Sequence, residues 1–129
     1  MVLEGSFRWW VYGVGHSQLV LHRSDPDERG NTASVLFEGV RAVKLRTSYE
    51  GLTIELVEGA GRRRLLDYAG VPERFEDHHF CLALPDEDEG FVVCGRATVV
   101  SGKQVREHSG WRWPENGTVL HSWTTAASE

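Results

Sequence analysis

A mainly β protein, built as a single antiparallel β-sandwich or curled barrel-like meander of about eight or nine strands with one short helix, is what the sequence predicts. Three observations predict it. Apolar residues recur chiefly at period two, in short runs broken by Gly, Asn, Asp and Ser, the mark of antiparallel strands. The 129 residues suit one core and are too few for two, so residues 1–129 read as a single β-rich domain. Hydrophobic residues make up 40% and charged residues 26%, a balance of folded chains and not of disordered ones.

Strands are expected at Phe7–Val14, Gln18–Arg23, Ala33–Phe37, Arg41–Ser48, Leu52–Glu58, Arg62–Tyr68, His79–Leu84, Phe91–Val100 and Gln104–Trp113. Within Gln18–Arg23, alternation sends Leu19 and Leu21 to the core and Gln18, Val20 and His22 to the other face. The polar stretch Ser24–Asn31, "SDPDERGN", reads as a loop. "RTSYEGLTI" predicts a turn about Tyr49-Glu50-Gly51. "LTIELVEGAGRRRLLDY" predicts a hairpin about Gly59-Ala60-Gly61, in a register that sets Glu58 opposite Arg62 and Ile54 opposite Leu66.

The short helix is placed on "VPERFEDHH", with Pro72 in its first turn and Glu73, Glu76 and Asp77 early. A second hairpin turns at Asp86–Glu89, setting Leu84 opposite Phe91, Leu82 opposite Val93 and Cys81 opposite Cys94. Both of its faces are apolar, which predicts burial from two sides. The tail "TTAASE" reads as frayed.

Charge and composition narrow the function. The balance of 14 Lys+Arg against 19 Asp+Glu, a net charge of −5, argues against nucleic acid and allows a basic partner. No apolar run is long enough to span a bilayer, and Met1–Ser6 lacks the features of a secretory signal, so no membrane role and a cytoplasmic location are expected.

His16-Ser17 looks like a base and a nucleophile, yet neighbours on a strand point to opposite faces, so the pair reads as a turn leading into a strand. His16 then matters only as a rim residue beside Tyr12. Gly13-Val14-Gly15 lacks the third glycine and following helix of a phosphate loop. His78 and His79 do not have the spacing of a shared metal site, and "PDEDEG" reads as an acidic turn, so no metal and no cofactor are expected. Cys81 and Cys94, placed opposite each other, are expected to remain thiols.

In "WRWP" the indoles of Trp111 and Trp113 share one face and Arg112 takes the other, so the trio is either a stacking platform or a core closure. His16, Tyr12, Trp111, Trp113 and Arg112 are therefore the candidate binding residues. Arg62 to Arg64 read as a solvated, salt-bridged strand edge.

The pattern "HSQLVLHRS", followed by "SVLFEGVRAVKLRTSYEGLTI", resembles the small uncharacterised β-rich proteins of actinomycetes. More distantly it resembles the immunity proteins of bacterial polymorphic toxin systems, in which a hydrophobic-x-Phe-x-x-Val strand leads into a second strand and a Gly-containing turn. The resemblance spans Tyr12 to Glu58. It implies no catalysis, but a protein that binds and blocks a cognate toxin.

A non-catalytic protein-binding domain with a protein partner is thus the first reading, and self-association into a homo-oligomer is compatible with it. A small-molecule or sugar-binding β domain that uses its tryptophans is second. An enzyme whose residues converge from distant positions is third.

Overall fold

The structure, a computed structural model, describes residues 1–13, 18–23, 25–103 and 115–124, with the side chains of 9–13, 103, 115 and 116 left aside. Its strands are β1 (Val2–Gly13), β2 (Gln18–Arg23), β3 (Asn31–Glu38), β4 (Ala42–Lys44), β5 (Ser48–Thr53), β6 (Glu55–Leu56), β7 (Phe80–Leu84), β8 (Gly90–Cys94), β9 (Arg96–Lys103) and β10 (Glu115–Trp123). One α-helix, α1 (Gly59–Ala69), and a 3₁₀ helix, Glu73–His78, lie between β6 and β7. The mainly β, sandwich-like expectation holds.

Six strands form one antiparallel sheet in the order β10-β9-β3-β2-β1-β5, and four form a second in the order β4-β8-β7-β6. Alternation places Leu19, Leu21, Val35, Phe37 and Val99 on the inner face of the large sheet. They meet Leu82, Leu84, Val92 and Cys94 from the small sheet, and Phe7, Leu52 and Ile54 close the core. Leu19 and Leu21 point inward as the sequence suggests, and Val20 is buried on the opposite face.

Two strand pairs pass from one sheet into the other. Beyond β3, the chain bends at Gly39, whose φ of 64° is one that glycine adopts freely, and enters β4. Beyond β8 it bends at Gly95 and enters β9. The bends are bonded together: Gly95 N–H donates to the carbonyl of Glu38 at 2.9 Å, and Arg41 N–H donates to that of Val93 at 2.8 Å. The expected single strand Phe91–Val100 is accordingly two strands in different sheets.

Two further expectations are corrected. Tyr49-Glu50-Gly51 is not a turn but the middle of β5, which pairs with β1 because Tyr49 and Leu52 are core residues. The proposed hairpin over Leu52–Tyr68 does not form either. Its second half is α1, where Leu65, Leu66 and Ala69 repeat at helical spacing and pack on the small sheet.

The helix ends as its local sequence dictates. Gly70 takes a left-handed φ of 68°, its N–H reaches the carbonyl of Asp67, and Val71 N–H reaches that of Leu66. These two hydrogen bonds form a Schellman closure, and Leu66 and Val71 supply its apolar contact. The expected short helix is present as the 3₁₀ turn, which Pro72 precedes instead of opening. β10 was not expected, whereas the strand expected at Gln104–Trp113 and all of the tail "TTAASE" after Thr124 lie outside the described residues. No helix among the described residues is long and apolar enough to cross a membrane.

Candidate functional site

The outer face of the small sheet is built in cross-strand rows. Pairing of β4, β8 and β7 aligns Ala42, Val93 and Cys81 in one row and Lys44, Phe91, Ala83 and Glu55 in the next. Helix α1 covers the first row with Leu66, Leu65 and Ala69. The second row is covered only in part, with Ala83 and Phe91 half-buried.

The result is a groove of about 590 Å³ between the helix and the β7–β8 hairpin. Its floor is apolar, made by Val57, Leu65, Ala83 and Phe91, while its charged lining comes from Arg64 on α1, Lys44 on β4 beside the hairpin, and Asp86 and Glu89 on the hairpin turn. Gly61 sets the depth: a β-carbon there would lie 2.9 Å from Cγ1 of Val57, so only glycine lets the first helical turn come this close. The aromatic surface continues outward, with Tyr68 set edge-on to Phe91 at 5.7 Å and 73% exposed.

The lip of the groove is held by its own hydrogen bonds. Asp86 accepts the Asp88 N–H through Oδ1 at 2.8 Å, and Glu89 N–H returns to the Asp86 carbonyl. Glu89 has a φ of 53°, which is rare outside glycine. Below the turn, the Tyr49 hydroxyl accepts the Arg46 N–H at 3.0 Å. Burial raises the pKa of that hydroxyl, and the charges of Asp86 and Asp88 add to the effect.

The back of α1 is anchored by arginines. Arg63 forks between Asp67 and Glu76, with both pairs at 2.6 Å, and Arg62 donates to the carbonyls of Glu76 and His79. The solvated strand edge expected for these arginines is thus replaced by a clamp between α1 and the 3₁₀ helix. His79 completes it: its Nδ1–H donates to the Phe75 carbonyl at 2.8 Å, and Nε2 accepts from Arg41. His78 stays exposed, so the two histidines part ways as their spacing implies. Among the described residues no group of three or more His, Cys, Asp or Glu is placed to hold a metal ion.

The cysteines are not neighbours. The observed register is one residue off the expected one, pairing Cys81 with Val93 and Phe80 with Cys94, so the thiols sit on opposite faces of the sheet. The turn takes in Pro85 through Glu89 and lets Gly90 open β8. Gly90 belongs there because a β-carbon would meet the Lys44 carbonyl and the Tyr49 hydroxyl at 3.1 Å.

Of the residues singled out in the sequence, His16, Trp111, Arg112 and Trp113 lie outside the described residues. Tyr12 is placed in β1 opposite Leu19, its side chain likewise outside them. The groove residues carry no spacing motif; they come together through the rows of the sheet and the end of the helix.

Two other features escaped sequence reasoning. His22 Nδ1 and Ser34 Oγ are 2.7 Å apart as a cross-strand pair of β2 and β3, and burial, then the charge of Arg23, lowers the pKa of His22. The β2–β3 register alone could have revealed that pair. An open cleft of about 650 Å³ also lies at the β2–β3 loop, beside Glu4, Arg23, Asp25 and Asp27. There Arg23 is tied down by the carbonyls of Glu4 and Asn31, and Gly5 makes room for it.

No protein-family model matches the chain, and neither a curated protein nor a solved structure matches it.

Proposed function

We propose that this chain is a non-catalytic protein-binding domain of the immunity type, and that it takes its partner on the partly covered row of the small sheet. One observation carries the reading: the apolar floor at Phe91, Ala83 and Leu65 runs out onto the exposed ring of Tyr68 and is ringed by charges of both signs. That is the anatomy of a recognition patch, where a desolvated aromatic centre supplies affinity and a polar rim supplies orientation. The net charge of −5 favours a basic partner, since long-range attraction speeds encounter. A toxin with a basic surface is the partner class that fits.

Tyr68 gives the test, because its exposed ring can be removed without opening the core. Purified chain is immobilised and challenged with extract of the native host. Wild type is expected to retain a defined protein, and Tyr68→Ala to retain it about tenfold more weakly. If wild type retains nothing, or both retain the same protein equally, the reading is overturned.

A further inference from the structure

We propose that β10 is a dimerisation edge, on which a second copy of this chain lays its own β10 antiparallel and continues the large sheet from one protomer into the other. The surface lies at the end of the large sheet, apart from the groove, so the proposal does not depend on the reading above.

The edge is open. β10 ends the six-stranded sheet, and among the described residues it pairs with β9 alone. A strand paired on one side presents the backbone N–H and C=O groups of its other side, and an extended chain is the partner that satisfies them. Consecutive residues 117–122 are all exposed, which leaves both faces of the strand in water. In its middle Val119 is 58% and Leu120 48% exposed.

The other sheet edges are guarded and this one is not. β4 and β6 are only three and two residues long, and β5 carries Glu50, which accepts the Ser6 hydroxyl at 2.8 Å. β10 runs for nine residues with neither Pro nor Lys, and its one formal charge is Glu115. Its far end is fixed in advance, since Trp123 packs on the main core and stands edge-on to His121 at 4.4 Å.

The pattern of the strand selects a copy of itself. A twofold axis makes an antiparallel edge self-complementary, because each residue meets the same set on the other protomer. With that axis at Val119, the centre of the nine residues, the apolar pair Val119-Leu120 meets its equivalent across the ladder. Glu115 stands at the first position, so the two acids fall at opposite ends and no like charges face each other. The net charge of −5 per chain then opposes association only as long-range repulsion, which salt screens. Register shifts against β9 at Glu115/Thr118 and Val119/His121 bend the strand and shorten the straight run that a copy can use. The dimer is therefore weak, with a Kd on the order of 100 µM.

Sedimentation velocity on the full chain over a concentration series tests this. Wild type is expected to dimerise, and more tightly as NaCl is raised from about 50 to about 500 mM. Val119→Lys sets a charge at the centre of the ladder, opposite its own copy, and is expected to weaken the dimer at least tenfold, roughly, while circular dichroism shows the fold kept. Tyr68→Ala, altered in the groove, is expected to dimerise as wild type does. Deuterium exchange reports the backbone directly: β10 amides should gain protection with concentration in wild type and not in Val119→Lys.

A chain that stays monomeric throughout would overturn the proposal, as would Val119→Lys associating as tightly as wild type or a dimer whose β10 amides gain no protection. Loss of the dimer in Tyr68→Ala would move the contact to the groove and overturn it equally. None of these results bears on capture of a host protein through Tyr68, so the two readings fail separately.

Discussion

The surroundings of Cys94 strongly alter its chemistry. It lies in the main core between the sheets, and burial pushes its thiol up to about 12. The unfolded thiol titrates near 9, so the folded state holds its proton where the unfolded state gives it up. The stabilisation is complete below pH 9 and is lost as the pH rises from there toward 12. In urea titrations, the unfolding midpoint should therefore fall between pH 9 and 11, and Cys94→Ala should fall less over that range. The same placement predicts that diamide leaves Cys81 and Cys94 unlinked in the native protein, since the sheet separates them. Mass spectrometry finding an intramolecular disulfide would contradict the observed register.

At the scale of elements, the clamp between α1 and the 3₁₀ helix is the part most open to test. Hydrogen bonds from Arg63 lower the pKa of the Glu76 carboxyl below its ordinary value of 4.5. A depressed carboxylate stabilises the fold above its unfolded value and stops doing so as the pH falls through the folded one. Arg63→Gln should accordingly lower the melting temperature at pH 7, and the difference should shrink as the pH falls and Glu76 takes up its proton. A difference that persists unchanged into acid would mean that Arg63 acts through packing and not through charge.

This same region was the least legible in the sequence. "RRRLLDYA" contains no Gly or Pro, and its charged and apolar residues fit a strand pair with Leu52–Glu58 as well as they fit a helix turn. Only the tertiary need to cover Cys81 and Val93 decides between them, and a strand pattern cannot express that need. Strands β2, β3, β7 and β8 were legible because each is a short, largely apolar run bounded by polar or turn residues. The slip of one residue in the β7–β8 hairpin came from the length of its turn, which apolar pairing alone does not determine when both faces are apolar. Since the groove floor is made from that hairpin and α1, both errors fell on the candidate site. Its geometry could not have been read before the register was known.

Across the whole molecule, the paired bends at Gly39 and Gly95 join what would otherwise be two stacked layers. β3–β4 and β9–β8 each run from one sheet to the other, side by side, and the bonds Gly95 N–H to Glu38 and Arg41 N–H to Val93 close the seam. The layers cannot slide or part without breaking a continuous ladder. Surface position and protection from exchange should therefore come apart here. Arg41 is exposed, yet its amide proton is expected to exchange with deuterium as slowly as those of β3, through global opening alone. Exchange at Arg41 and Gly95 far faster than at Val35 would show that the layers breathe separately. If they do not, a partner gripping the groove on one layer is held by the rigidity of both.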